Sequence, residues 1–184
     1  IIVRESPRHF KYKFSELQAF ENAINKLSNY NYYIFVSNNI LNEWKNILSL
    51  KDDQCYYIPN CIQEKKVKKI LNLNKYTIKR KFNFSENHFN VVCVASLQYR
   101  KGQDIIIDCI PDIVKNIPQF HLHLVGPKFE PYTNSIINHK YYKQFNNHIK
   151  IWGSRKDTYE MIYAADLMIL PTRAEALPRV ILEA

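Results

Sequence analysis

Glycine is nearly missing from this sequence: Gly102, Gly126 and Gly153 are the only three in 184 residues, where average usage near 7% would supply roughly a dozen. A chain so sparing with glycine keeps it where a strand turns sharply towards a helix or where backbone must approach a ligand. Long apolar runs are also lacking, and nothing approaches the ~18 uninterrupted apolar residues of a membrane helix. The protein is therefore expected to be soluble, or at most peripheral. The four cysteines, Cys55, Cys61, Cys93 and Cys109, form no C-x-x-C pair and have no histidine at zinc-finger spacing. All four read as reduced, packed thiols of a cytosolic protein. No D-x-D occurs, which removes a common metal-dependent way of holding a diphosphate. The opening Ile1-Ile2-Val3 has no methionine, basic n-region or cleavage site, so it reads as a core strand and not as a signal peptide. The true N-terminus is expected to lie upstream.

Charge is abundant but uneven. The formal net charge is +9, and Gln63 to Asn83 holds Lys65, Lys66, Lys68, Lys69, Lys75, Lys79, Arg80 and Lys81 against the single Glu64. Such a run reads first as a solvated helix face or connector, and second as a surface for an anionic membrane or acidic partner. The aromatic interleaving of RNA-binding surfaces is absent, which argues against nucleic acid.

The apolar pattern predicts strands over 1–3, 32–36, 56–58, 91–94, 121–125, 149–152 and 167–170. Helices are predicted over 14–27, from a Ser37/Asn38 cap to about 48, over 104–114, 132–145 and 158–165, and from near 179. Alternation of short buried strands with helices means right-handed β-α-β units and a parallel sheet clad on both faces. Residues 1–62 are expected to form the C-terminal portion of one Rossmann-like domain, 63–88 a linker with the basic segment, and 89–184 a second Rossmann-like domain. All three glycines should then line the carboxyl edge of the sheet, where open α/β sheets bind ligands.

The stretch Pro171-Thr172-Arg173-Ala174-Glu175-Ala176-Leu177-Pro178, continuing through Arg179 to Glu183-Ala184, places a loop glutamate eight residues before a helical one. A helix start near Pro178 offers free backbone N–H groups to an anion. This stretch resembles the "P-S-x-x-E-(G/A)-(F/L)-(G/P)-x-x-x-x-E-A" motif of the GT-B-fold glycosyltransferases of family GT4. Val94-Ala95-Ser96-Leu97-Gln98-Tyr99-Arg100-Lys101-Gly102 resembles the family's "V-G-R-L-x-x-x-K-G", and His123-Leu124-Val125-Gly126 its "L-x-I-V-G". Ile151-Trp152-Gly153 and Tyr163-Ala164-Ala165-Asp166 match "F-x-G" and "Y-x-x-A-D". Residues 1–62 resemble the family's acceptor-side domain more loosely, through Phe35-Val36-Ser37 and Tyr57-Ile58-Pro59-Asn60.

The resemblance implies a GT-B architecture of two Rossmann-like doubly wound lobes, both incomplete here. It further implies a retaining, metal-independent transferase, moving a hexose from a UDP- or GDP-sugar to a glycan or lipid-linked acceptor. No cofactor is implied beyond the donor substrate. It assigns Glu175 as the catalytic residue facing the sugar, and Lys101 to the donor diphosphate. Glu183 falls to the ribose, and Ser96, Gly126, Ala176, Leu177 and Pro178 to the remaining donor contacts. Ser154 and Arg155 are the neighbours of the base. Ser96 stands where the family usually has arginine, which leaves one phosphate charge less well compensated unless Arg100 or Arg173 reaches in. A histidine common in the acceptor-side domain is not found at Arg4-Glu5-Ser6, which leaves His9. Localisation is expected to be cytoplasmic, with peripheral contact to anionic membrane. Two other readings share part of this pattern: a GT-B nucleotide-sugar epimerase, and a non-catalytic basic module binding membrane or nucleic acid. The piece given is expected to be inactive and poorly soluble alone.

Overall fold

The computed structural model describes residues 2, 3, 22 and 24–184. The predicted helix over 14–27 lies mostly outside the described residues, as do Arg4-Glu5-Ser6 and His9; residues 24–27 are helical. The chain forms two compact units. One comprises Ile1–Cys61 with Ala174–Arg179, the other Ile62–Arg173 with Val180–Ala184.

The first unit carries a parallel sheet of β1 (Ile2–Val3), β2 (Tyr33–Phe35) and β3 (Cys55–Tyr57), in that order. Between β2 and β3 runs α1 (Asn38–Leu48). Ser37 caps it as expected, its hydroxyl accepting from the Ile40 N–H at 3.4 Å; such a cap satisfies one of the amides a helix start leaves open. Ile40 and Trp44, four residues apart on one helix face, are buried against Val3, Tyr33, Phe35 and Val36. Ala176 and Leu177 pack on this same cluster, and Asn60 Nδ2 donates to the Leu177 carbonyl at 2.8 Å.

The second unit is a four-stranded parallel sheet in the order β6-β5-β4-β7. Its strands are β4 (Phe89–Val94), β5 (Phe120–Val125), β6 (Ile149–Gly153) and β7 (Leu167–Met168). Alternation across the pleat sends Val91, Cys93, Leu122 and Leu124 to one face. There they meet Ile106, Ile107 and Ile110 of α4 (Gln103–Asn116). Val92 and Val125 face the other way, onto Ile78, Phe82, Phe84 and Met161. The helix expected over 132–145 is two helices, α5 (Tyr132–Asn138) and α6 (Lys140–Gln144), because His139 takes an extended conformation between them. After β6 comes α7 (Thr158–Ala164), and after β7 the short α8 (Arg179–Glu183).

The basic stretch over 63–88 is not a linker. It folds into α2 (Glu64–Leu71) and α3 (Lys75–Lys81), which belong to the second unit. Its lysines fasten it there: Lys79 Nζ lies 2.7 Å from Asp166 Oδ1, Lys81 pairs with Asp157 and Glu160, and Lys75 donates to the Ala165 carbonyl. Lys79 and Lys81 are thus paired within the unit, while Lys65, Lys66, Lys68, Lys69, Lys75 and Arg80 are exposed, as the reading of a solvated helix face expects. The second departure from the expected boundaries is the segment Ala174–Arg179, which groups with the first unit through Ala176, Leu177 and Asn60. The cysteines also diverge. Cys93 is buried and Cys55 partly so, but Cys61 and Cys109 are exposed and not packed.

Candidate functional site

The carboxyl ends of β4 and β5 carry three of the expected site residues. After β4 the chain passes Ser96, then a short 3-10 turn over Tyr99–Lys101, then Gly102. Gly102 has φ 72 and leads directly into α4, a left-handed conformation that a side chain would disfavour. Gly126 follows β5, and its N–H donates to the Gly153 carbonyl at 2.9 Å. A Cβ on Gly126 would stand 2.1 Å from the Ala95 carbonyl oxygen and 3.0 Å from the Ser96 nitrogen. Glycine here is what lets the two loops touch. Ser96, Lys101 and Gly126 thus share one edge of the sheet, together with Gly102 and Gly153, as the sequence predicted for the glycines.

The Lys101 loop is held from both ends. Gln103 is fully buried, and its Nε2 donates to the Ser96 carbonyl at 2.9 Å. Residues 171–173 close over the other side: Thr172 Oγ1 and the Arg173 N–H both donate to the Arg100 carbonyl, at 3.0 and 2.8 Å. Arg173 is forked onto Asp104 at 2.8 and 2.7 Å, and its guanidinium lies 4.0 Å over the Tyr99 ring. Burial pushes the Asp104 carboxyl up, but the Arg173 guanidinium and the Tyr132 hydroxyl outweigh it and hold it below the ordinary carboxylate range. Arg173 is therefore held by Asp104, which removes one of the two arginines that could reach a phosphate in place of the one missing at Ser96. This fork was not legible in the sequence. Asp104 opens the helix predicted over 104–114, and no local signal links it to Tyr132 or Arg173.

Ser154 and Arg155 follow Gly153 at this same carboxyl edge, and the other expected residues lie elsewhere. Ser154 is exposed just after β6, and Arg155 is forked onto Asp157 at 2.8 Å through both Nε and Nη2. That fork draws the Asp157 carboxyl down to about 2. Glu183 accepts from the Tyr159 hydroxyl at 3.0 Å. It lines a cleft of about 600 Å³ with Tyr159, Tyr163, Met168 and Ile181, and that lining includes none of Ser96, Lys101 and Gly126. Glu175, Ala176, Leu177 and Pro178 lie in the segment that groups with the first unit. There the Leu177 carbonyl is taken by Asn60. Among the described residues, no group of three or more His, Cys, Asp or Glu side chains could hold a metal ion, and no helix is long and apolar enough to cross a membrane.

One polar network lies behind this edge. His123, 6% exposed in the middle of β5, accepts at Nδ1 from Trp152 Nε1 (3.2 Å) and donates from Nε2 to Asn90 Oδ1 (3.1 Å). The Asn90 N–H in turn donates to Asp166 Oδ2 (2.8 Å), whose other oxygen holds Lys79. Burial, then His121 and Lys150, press the His123 pKa down to about 3, so the ring stays neutral.

Residues 74–184 match the family model described as Glycosyl transferases group 1. The chain belongs to this family. No curated protein matches it at a significant level. Among solved structures, this group 1 chain is similar to HepE of Anabaena, crystallised with UDP, at 23% identity and a TM-score of 0.73 over 100% of this chain and 49% of that one. It is also similar to WaaG, a glycosyltransferase involved in lipopolysaccharide biosynthesis, at 19% identity and a TM-score of 0.75 over 94% and 46%. A glycosyltransferase from Rickettsia africae matches at 18% identity and a TM-score of 0.70 over 88% and 45%. Identity at this level establishes the fold, which is GT-B, with parallel sheets in two Rossmann-like units. The group 1 chain spans about half the length of these structures.

Proposed function

We propose that the full-length protein is a retaining glycosyltransferase that moves a hexose from a UDP- or GDP-sugar to a glycan or lipid-linked acceptor in the cytoplasm, without a metal. The observation that carries this reading is the meeting of Ser96, the Lys101 loop and Gly126 at one carboxyl edge of the sheet, inside the segment that matches the family. The UDP and UDP-glucose held by HepE support the class of donor. In this reading the Lys101 ammonium sits on the diphosphate and neutralises the leaving nucleotide, the task a cation performs elsewhere. Glu183 accepts from the ribose hydroxyls, Glu175 faces the transferred sugar, and the loop at Ser154 and Arg155 lies near the base. Peripheral contact with anionic membrane is supported by the segment of α2 and α3, which exposes Leu71, Leu73 and Tyr76 and also Lys65 and Lys69.

A thermal-shift panel with UDP, GDP, ADP and their sugars tests the reading. Selective stabilisation by one nucleotide diphosphate, abolished by Lys101→Ala and by Glu183→Ala, is the expected result. Indifference to every nucleotide would remove the transferase reading.

A further inference from the structure

The loop that carries Lys101 makes little of its own rigidity. Within the turn, the Lys101 N–H donates to the Gln98 carbonyl at 2.8 Å and the Gly102 N–H to the Tyr99 carbonyl at 3.2 Å. Beside the bonds from Gln103 and Thr172, the groups that fix the turn from outside converge on residue 173. Before Lys101, the Tyr99 carbonyl accepts from Arg173 Nη1 (2.7 Å) and the Arg100 carbonyl from the Arg173 backbone (2.8 Å). After it, Asp104 receives both guanidinium nitrogens. Asp104 is itself pinned by Tyr132, whose hydroxyl donates to Oδ1 at 2.7 Å and accepts from the Asp104 N–H at 3.0 Å. Tyr132 meets the Tyr99 ring edge-on, with centroids 6.3 Å apart. Both ends of the turn therefore report to one side chain. The ion pair is largely shielded, its side chains 18% and 26% exposed, and a bidentate fork of this kind fixes direction as well as distance.

We infer that Arg173, anchored by Asp104 and Tyr132, is the positioning residue of the phosphate-binding loop: it holds the backbone on either side of Lys101 so that the ammonium is aimed at the donor diphosphate. The inference rests on the assignment of Lys101 to that diphosphate. Arg173 contributes through geometry and not through charge, because its charge is already matched by Asp104. Preorganisation of a phosphate cradle in this way raises affinity by lowering the ordering cost of binding.

A direct phosphate contact by Arg173 predicts the opposite sign for one substitution, which makes the two separable. Dissociation constants for UDP, GDP and ADP are measured by calorimetry on the full-length protein and on Lys101→Ala, Arg173→Gln, Asp104→Asn and Tyr132→Phe, with circular dichroism and a thermal midpoint for each. The tightest of the three nucleotides then serves as probe. Arg173→Gln is expected to weaken it about tenfold. Asp104→Asn should weaken it severalfold, and Tyr132→Phe, which removes a single hydroxyl and leaves the fold least disturbed, in the same direction by less. The double variant Lys101→Ala/Arg173→Gln should be no weaker than Lys101→Ala alone, since the second residue acts through the first. Tighter binding by Asp104→Asn, or additive losses in the double variant, would overturn the proposal while leaving the donor site standing. A wild-type protein that binds none of the three nucleotides would instead remove the functional reading, and this inference with it. Binding that Lys101→Ala leaves unchanged would remove the Lys101 assignment on which the inference depends.

Discussion

Gly102 and Gly153 share almost the same backbone conformation, φ 72 and φ 71, yet differ in what surrounds them. A Cβ on Gly102 would stand 2.1 Å from the Pro171 carbonyl oxygen and 3.2 Å from Ile105 Cδ1; a Cβ on Gly153 would meet nothing within 4 Å. Alanine at either position incurs the left-handed penalty of about 1–2 kcal/mol. Gly153→Ala should cost only that. At Gly102 the carbonyl must also retreat by about 1 Å or more to reach an ordinary carbon–oxygen contact of about 3.3–3.6 Å. That motion drags on the bonds Thr172 and Arg173 make to the Arg100 and Tyr99 carbonyls, each worth about 1 kcal/mol. Gly102→Ala should therefore cost about 3–5 kcal/mol in all. Urea denaturation of the two variants beside wild type measures both quantities. In a thermal scan the same energies correspond to roughly 2–8 °C for Gly153→Ala and about 4–12 °C more for Gly102→Ala. Equal losses in the two variants would show that the Pro171 contact carries no weight and that backbone conformation alone sets the cost.

Two further outcomes follow from burial. His123 refuses a proton in the folded state until about pH 3, whereas the unfolded chain takes it up near 6.5, so the unfolded state binds more protons between those limits. Stability is then full above pH 6.5 and falls by up to about 1.4 kcal/mol per pH unit below it; urea midpoints from pH 7.5 to 4.5 should show the decline, and His123→Gln should flatten it relative to wild type. A variant with an unchanged slope would place the acid sensitivity elsewhere. Burial likewise pushes the Cys93 thiol up to about 12. An aromatic disulfide reagent at pH 8 should modify the exposed Cys61 and Cys109 at once and reach Cys93 only as the protein unfolds, so an additional rapidly labelled equivalent that Cys93→Ser removes would refute the buried placement.

Much of the second unit was readable because its strands are short contiguous apolar runs and its three glycines stand where the sheet ends. Val91-Val92-Cys93-Val94 needs only its own side chains to declare a strand buried on both faces. The stretch over 63–88 hid its nature for the opposite reason. Its buried residues, Ile70, Ile78, Phe82 and Phe84, are scattered among polar and basic ones, and a lysine gives no local sign that Asp166 or Glu160, some eighty residues on, will neutralise it. The same blindness to distance explains Arg173. The three glycines located the edge of the sheet, but the partner that decides whether an arginine greets a ligand or braces a loop, Asp104, is sixty-nine residues away. The Ala174–Arg179 segment was assigned by sequence continuity to the unit that surrounds it, while its apolar residues follow Trp44 and Tyr33.

That last segment bears on how the protein can be taken apart. The chain passes from one unit to the other at 61/62, again at 173/174 and back at 179/180, so the two are joined by three covalent crossings and not by one hinge. Excising the second unit alone would carry a displaced hexapeptide, strip Ala176 and Leu177 from the cluster they complete, and leave the Asn60 amide without its carbonyl. Chimeras that exchange the second unit between relatives should therefore move residues 174–179 according to the first unit they are grafted onto, with cut points on either side of that segment as well as at residue 62.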